Sequence, residues 1–418
     1  MSAVHETSLA ALAGDARAFR KLPELADAPA AFRAAVRAMA RNWMIGSLVF
    51  VTPAGGELAL RGQRAGPAAR LVVRDYRFMR RVLAGGDIGF AEGFMAGEWE
   101  SPDLSALLEV IALNFNQMRR VTRGNLLLGV ANRLRHALRG NSRRGARRNI
   151  HAHYDLGNAF YSRWLDPTMT YSSARYERPG QPLADAQRHK YRSLADGMGL
   201  GPGQHVLEIG CGWGGFAEYA AKEVGARVTG ITISREQYDF ARRRMFEQGL
   251  AERAEIRMAD YRDVEGSFDR IASIEMFEAV GERYWPAYFG QIAERLSPGG
   301  RAGLQIITIR DELFDDYRRR ADFIQQYVFP GGMLPSEERL KVETDRAGLA
   351  WTGLTRFARD YADTLAEWAA RFEDAWDDIR ALGFDERFRR LWRFYLSYCE
   401  AGFRSERTNV VQLSLAKA

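Results

Sequence analysis

The feature that most constrains the fold is an apolar strand that runs directly into a glycine-rich turn and a helix, VLEIGCGWGGF at 206–216. Further apolar segments typical of strands occur at 227–233, 254–258, 268–273 and 300–307. Helices are predicted from Phe216 after the glycine-rich turn, at 235–248 after the second strand and from Phe277 after the fourth. Strands that alternate with helices predict an α/β fold with a parallel, doubly wound sheet. Glycines in such a turn let the backbone bend sharply and approach a ligand closely.

The first 118 residues follow a different pattern. Helical spacing of apolar residues up to about residue 45 gives way to short strands punctuated by glycine and proline, and then to helices. The strands are predicted at 47–52, 57–61 and 70–75, and the helices at 76–84 and 103–117. We therefore predict three parts: a smaller α+β N-terminal domain at 1–118, a basic helix or linker at 119–149, and the α/β domain at 150–418.

The composition is typical of a globular, intracellular protein. Apolar residues make up 46% of the 418, and the formal net charge of +7 is close to balance. Two cysteines, Cys211 and Cys399, do not form a disulfide framework, which favours a reducing compartment. Neither a secretory signal nor a run of about 18 apolar residues is found. We predict a cytoplasmic protein whose membrane contact is peripheral, at the inner face.

Positive charge is concentrated in the basic segment at 119–149, which contains no Asp or Glu. One interpretation is a solvated helix and linker, and another is adsorption to an anionic membrane surface, where each basic group is worth roughly 1 kcal/mol. Nucleic-acid binding is not predicted, because no base-stacking module accompanies the segment. The residues assigned to membrane contact are Arg133, Arg135, Arg139, Arg143, Arg144, Arg147 and Arg148.

The glycine-rich loop alone does not distinguish a dinucleotide from adenosylmethionine. Glu208, just before the loop, is placed for a cationic amino-acid ligand. Polar residues also follow the second strand, TISREQ at 232–237, and the third strand, at Asp260 and Tyr261. Polar residues at such strand ends line the ligand crevice of parallel sheets. The residues in these two segments therefore favour adenosylmethionine as the ligand. Ser234 and Gln237 also have the spacing of a helix capping box.

Seven ordered motifs together resemble the cyclopropane-fatty-acyl-phospholipid synthases and mycolic acid cyclopropane synthases. The resemblance is strong over about 150–413 and looser before 118. The motifs are HYDLGNAFY (153–161), MTYSSARY (169–176), VLEIGCGWGGF (206–216), VTGITISREQ (228–237), DYRDV (260–264), MFEAVG (276–281) and YVFPGGMLPS (327–336).

This resemblance implies a Rossmann-like, adenosylmethionine-dependent methyltransferase domain with a helical lid over an acyl tunnel. It also implies methyl transfer to the cis double bond of phospholipid acyl chains, closing a cyclopropane ring, with bicarbonate as the base and no metal. The implied cofactor contacts, with Glu208 and Asp260 from the pattern above, are Tyr171, Ser172, Gly210, Gly212, Gly214, Thr232, Ser234, Gln237 and Tyr261. The implied bicarbonate and catalytic positions are Ser173, Glu278, Gln305, Ile307 and Tyr361.

Three positions depart from the family pattern: Ser173 replaces a cysteine, and Gln305 and Ala279 replace histidines. A neutral amide donates to an anion but cannot share its proton, so bicarbonate binding and the product are both open. With Glu278 as the base, proton loss elsewhere would give a methyl- or methylene-branched chain without ring closure.

Two further hypotheses compete with lipid methylation. One is N-methylation of a small amine, which would need neither the N-terminal domain nor the basic segment. The other is a lipid-binding protein without catalysis, against which the intact loop and Glu278 argue. The oligomeric state is open, with a homodimer as one alternative.

Overall fold

The structure, a computed structural model, describes residues 22–122 and 156–417. The described residues divide into two compact units, 22–122 with Phe384–Ser405, and 156–383 with 406–417. Sequence analysis placed 384–405 in the C-terminal domain, whereas its contacts group it with the N-terminal unit; the other boundaries stay predictions. The arginines assigned to membrane contact lie outside the described residues.

The first unit contains a four-stranded sheet with strand order β2-β1-β3-β4. Its alternating side chains explain the strands: in β1 every second residue is buried. β1 pairs with β2 in antiparallel and with β3 in parallel orientation. The strands are β1 (Ile45–Val51), β2 (Glu57–Arg61), β3 (Arg64–Val73) and β4 (Trp99–Glu100).

Helices cover this sheet, and buried polar contacts fix their positions. Asn114 is fully buried, accepts from the backbone N–H of Met44 at 2.8 Å and donates to the Ile45 carbonyl at 2.9 Å. Ser105 donates to Glu400 on the helix at 386–404, at 2.6 Å. The helices are α1 (Ala30–Asn42), α2 (Phe78–Gly85), α3 (Asp87–Met95), α4 (Leu104–Thr122) and, late in the chain, Glu386–Arg404.

The second unit contains a seven-stranded sheet with strand order β10-β11-β9-β8-β5-β6-β7. β5 through β9 pair in parallel, as predicted, whereas β11 pairs antiparallel with both β9 and β10. Strands β10 and β11 were not predicted from the local pattern of residues. The strands are β5 (His205–Ile209), β6 (Arg227–Thr232), β7 (Ala254–Met258), β8 (Phe268–Ile274), β9 (Leu296–Ile309), β10 (Leu349–Arg356) and β11 (Thr408–Lys417).

Helices pack on both faces of this sheet over two apolar clusters. The helix predicted at Phe277 is instead a pair of 3₁₀ turns, and the α-helix begins at Trp285. Within the described residues, no helix is long and apolar enough to cross a membrane. The helices are α5 (Asn158–Trp164), α6 (Leu183–Gly197), α7 (Gly215–Tyr219), α8 (Arg235–Glu247), α9 (Trp285–Arg295), α10 (Asp311–Tyr317), α11 (Phe323–Tyr327), α12 (Glu337–Arg346), α13 (Ala358–Asp374) and α14 (Trp376–Ala381), which makes the helix at Glu386–Arg404 α15.

Candidate active site

The glycine-rich loop after β5 is closed on one side and open on the other. Gly210, Gly212 and Gly214 have φ of 80°, 53° and 83°, in the left-handed region that favours glycine. A Cβ on Gly210 would lie 2.7 Å from Cγ of Met276, whereas a Cβ on Gly212 would meet nothing within 4 Å. Backbone over Gly212 therefore borders space that a ligand can occupy.

Glu208 supplies a buried carboxyl group beside this loop. Burial raises the pKa of Glu208 to about 8, although Lys190 and Arg244 oppose the shift. Its Oε2 atom is buried and has no hydrogen-bond partner among the described residues. A cationic ligand group nearby would favour the ionised form. The open backbone at Gly212 and this unpartnered oxygen fit the predicted adenosylmethionine.

The residues predicted after β6 form a connected network. Thr232 donates from Oγ1 to Gln237 Oε1 at 2.9 Å and accepts from the Ser234 N–H at 3.1 Å. Ser234 caps α8 by accepting from the Gln237 N–H at 3.4 Å. The reciprocal half of the expected capping box is absent from this described segment, because the Gln237 side chain bonds Thr232 instead. Their role in cofactor binding stays a prediction.

Asp260 and Tyr261, the site residues predicted after β7, each contact another side chain of the protein. Asp260 accepts from the Arg262 guanidinium at 2.8 and 2.6 Å, so its carboxylate already has a cationic partner. The Tyr261 ring contacts the Tyr288 ring at 5.4 Å, and burial raises the pKa of Tyr261 to about 12. Both lie at the carboxyl edge of the sheet, where a ligand contact remains a prediction.

Tyr171 belongs to an aromatic cluster formed with α5 and α13. Its ring lies 5.4 Å from Tyr161, 5.6 Å from Trp164 and 5.3 Å from Trp368. Tyr361 joins the cluster through Trp368, at 6.2 Å. Aromatic faces stabilise nearby positive charge, so contact between this cluster and a bound cation is a prediction.

Ser172, next in sequence, contacts a lysine that sequence analysis did not select. Lys190 on α6 is fully buried and donates to Ser172 Oγ at 2.7 Å. Burial lowers the pKa of Lys190 to about 7, against the charges of Glu275, Asp166 and Glu208. In the sequence this lysine is an ordinary basic residue of a polar helix, so no signal marked it.

Three of the five predicted bicarbonate positions meet at a carboxylate that sequence analysis missed. Glu275 Oε1 accepts from the Ser173 N–H at 2.9 Å and from Gln305 Nε2 at 2.8 Å, and Oε2 accepts from the Tyr361 hydroxyl at 2.6 Å. Burial raises the pKa of Glu275, opposed by these donors and by Lys190. Glu275 directly follows β8, and a position just after a strand is the reason that Asp260 was predicted as a site residue. The same reasoning could have indicated Glu275.

The other two predicted positions, Glu278 and Ile307, meet each other. The Ile307 N–H donates to Glu278 Oε1 at 2.5 Å, while Oε2 is buried without a partner among the described residues. Burial raises the pKa of Glu278 to about 8, and the neighbouring Glu275 charge adds to the shift. Glu275 and Glu278 therefore interact electrostatically, and carboxyl groups with raised pKa values are typical of sites that move protons.

The donors expected to hold bicarbonate are thus already occupied by the protein's own carboxylates. Ser173, Gln305 and Tyr361 donate to Glu275, and Ile307 donates to Glu278. A second anion against the same donors would face like charge in a buried site. The residues present do not fit bicarbonate. No group of three or more metal-binding side chains was found in the described ranges.

The chain is similar to known proteins in both sequence and fold. A family model described as mycolic acid cyclopropane synthetase matches residues 141–413. Tuberculostearic acid methyltransferase UfaA1 of Mycobacterium tuberculosis is 41% identical over 347 residues, 81% of each chain. Cyclopropane-fatty-acyl-phospholipid synthase of Escherichia coli is 34% identical over 362 residues, 84% of this chain and 88% of its own. The structure of mycolic acid cyclopropane synthase CmaA1 complexed with SAH and CTAB is similar with a TM-score of 0.61, 29% identity, and coverage of 65% of this chain and 98% of that one.

Proposed function

The chain belongs to the mycolic acid cyclopropane synthetase family, and from this premise we propose that it methylates the double bond of a phospholipid acyl chain to give an open-chain, branched alkene. It is an adenosylmethionine-dependent methyltransferase of lipid acyl chains. The phospholipid substrate and the open-chain product go beyond family membership, and these two points are our proposal. The observation that carries the product is the occupied donor set around Glu275.

Adenosylmethionine supplies an electrophilic methyl group, and the acyl double bond is a weak nucleophile. The protein must therefore align the two and exclude water, and most of the acceleration comes from that positioning. The aromatic cluster around Tyr171 and Trp368 supports this chemistry, because its faces stabilise the positive charge left on the chain. Loss of the proton on the methyl-bearing carbon yields a methyl-substituted alkene. A 1,2-hydride shift that moves the cation to that carbon, followed by proton loss from the methyl group, yields a methylene branch.

The product test is lipid analysis of a bacterial host that lacks a cyclopropane synthase of its own and expresses this protein. A cyclopropane and a methylene branch are isomers, each one CH₂ heavier than the parent chain, so mass alone does not separate them. Ozone cleaves the methylene-branched chain to a ketone and leaves a cyclopropane intact. We expect phospholipid acyl chains that gain mass and are cleaved by ozone.

Ozone-resistant products would instead support ring closure, the second candidate, which the Escherichia coli relative's name favours. No mass gain in phospholipids, with gain in another lipid class, would contradict the phospholipid substrate. A host expressing Gly212→Val serves as the inactive control.

We also propose that the basic segment docks on an anionic membrane. Replacing Arg143, Arg144, Arg147 and Arg148 by Gln should weaken sedimentation with anionic vesicles, because each basic group near the surface is worth roughly 1 kcal/mol. Wild-type binding should fall with added salt, which screens exposed charges over roughly 8 Å at physiological ionic strength. The matched control replaces four exposed arginines elsewhere, Arg235, Arg242, Arg243 and Arg257. Salt-independent binding, or equal losses in both variants, would refute docking through this segment.

A further inference from the structure

We infer that Glu275 is the built-in anion of the active site: its carboxylate takes the place of a free bicarbonate ion and accepts the proton that the reaction releases. The inference rests on the proposed function for the identity of that reaction. It assigns a catalytic role to a residue that the family motifs quoted above do not include.

The first support is the direction of the hydrogen bonds. The donors are a backbone N–H of Ser173, the Gln305 amide and the Tyr361 hydroxyl, and all three point at one buried carboxylate. Gln412 fixes the Gln305 amide by donating to its Oε1 at 3.1 Å, which leaves the NH₂ group for Glu275. A carboxylate with about four lone-pair sites keeps one for a further proton.

The second support is backbone strain at this residue. Glu275 has φ of 49°, in the left-handed region where a non-glycine residue costs of order 1–3 kcal/mol. Its N–H donates to the Gln305 carbonyl at 2.8 Å, which ties the strained residue to β9. Strain of this kind persists where the surroundings hold it, and it concentrates at functional sites. The backbone here suits glycine, yet the position carries a carboxylate.

The third support is location. Met276, the next residue, closes one side of the cofactor loop at Gly210. Ser173, whose N–H donates to the Glu275 carboxylate, directly follows Tyr171 and Ser172. The Glu275 carboxylate thus has contacts both to the segment beside the loop and, through Tyr361, to the aromatic cluster.

The chemistry balances with Glu275 as the base. The π electrons of the double bond form the new carbon–carbon bond to the methyl group, and the sulfur keeps the pair from the broken sulfur–carbon bond. The adjacent chain carbon is left cationic. Glu275 removes the proton on the methyl-bearing carbon, and the freed C–H pair forms the alkene with the cationic carbon. Removal of a proton from the new methyl group would close a cyclopropane ring instead. Burial raises the pKa of Glu275, which makes its carboxylate a stronger base.

The test is the bicarbonate dependence of Glu275→Gly. Glycine adopts this backbone conformation without strain, so the variant should fold, and it should free all three donors for an external anion. In CO₂-free buffer we expect its turnover to fall about 10²–10⁴-fold, the usual contribution of a general base. Added bicarbonate should restore turnover in a saturable manner, whereas the wild-type rate should not respond to it.

Glu275→Gln is the matched control. The amide keeps the volume of the side chain and blocks the anion site, so it should be as inactive as Glu275→Gly and not respond to bicarbonate. A wild type that needs bicarbonate would overturn the inference, and so would a Glu275→Gly variant that is fully active without it. A Glu275→Gly variant that binds adenosylmethionine and melts like the wild type, yet is not rescued, would also overturn it.

A second measurement separates this inference from the lipid assignment. Infrared spectroscopy with isotope-labelled bicarbonate should detect saturable binding to Glu275→Gly and none to the wild type. That result does not depend on which lipid is methylated. Binding to the wild type would refute the built-in anion, whereas a wild type that methylates no phospholipid would refute only the proposed substrate.

Discussion

Gly212→Val is expected to lower adenosylmethionine affinity by about 100-fold or more, equivalent to about 2.8 kcal/mol. Gly212 has φ of 53°, a conformation that a β-branched residue rarely adopts. A Cβ here meets no protein atom within 4 Å, so the two methyl groups would project into space assigned to the ligand. Isothermal titration calorimetry with adenosylmethionine measures the loss directly.

Gly249→Val separates lost binding from general strain. Gly249 follows α8, has φ of 67°, and likewise has no atom within 4 Å of an added Cβ, but it lies outside the loop. We expect similar drops in melting temperature for the two variants and normal affinity for Gly249→Val. Unchanged affinity in Gly212→Val would remove the loop from the cofactor site, and equal losses would attribute the effect to instability.

The parallel core of the sheet was predictable because local pattern and fold agree there. Each of β5 to β8 is a short apolar segment bounded by turn residues, and the glycine-rich turn marks the β5 end. The same holds for β1 and β2, where alternation is clear. The Rossmann-like methyltransferase fold is confirmed by solved structures of this family.

The end of the chain was not predictable from local pattern. β11 enters the sheet between β9 and β10, and its register is set by pairing across more than a hundred residues, Thr408 with Ile309. α15 carries a strong apolar face but nothing in its sequence says which unit it packs against. Only contacts such as Ser105 with Glu400 decide that.

The candidate active site, like the fold, was only partly predictable from the sequence. The family resemblance implies Ser173, Gln305 and Tyr361 as contacts of an anion, and the structure brings all three together on the Glu275 carboxyl group. Glu275 lies three residues before the predicted catalytic Glu278, and sequence spacing does not show which of these two carboxyl groups turns toward the donors. Contact with substrate and cofactor stays a prediction for all of these residues.

Glu278→Gln is expected to lower steady-state turnover by about 10²–10⁴-fold while leaving adenosylmethionine affinity near wild type. One Glu278 oxygen accepts from the Ile307 N–H, and the other is buried without a partner among the described residues. A protonated Glu278 can therefore relay the proton taken by Glu275, releasing its own proton as it accepts that one. An amide cannot do so. Turnover assays and calorimetry measure the two quantities, with the exposed Glu247→Gln as control.

The same variant has a second, independent signature in the pH dependence of stability. Burial raises the pKa of Glu278 from 4.5 to about 8, so the folded protein binds this proton more tightly than the unfolded chain. Wild type therefore loses stability as pH rises between these values, by up to about 1.4 kcal/mol per pH unit from this group. Glutamine does not ionise, so this loss is absent from the variant. The free energies of unfolding of wild type and variant, measured by urea titration, should therefore be close at pH of about 5. At pH of about 8 the variant should be the more stable of the two. Other buried groups, such as Glu208 and Lys190, titrate in both proteins and largely cancel in the difference. Parallel curves would mean that the pKa of Glu278 is not raised in the folded protein.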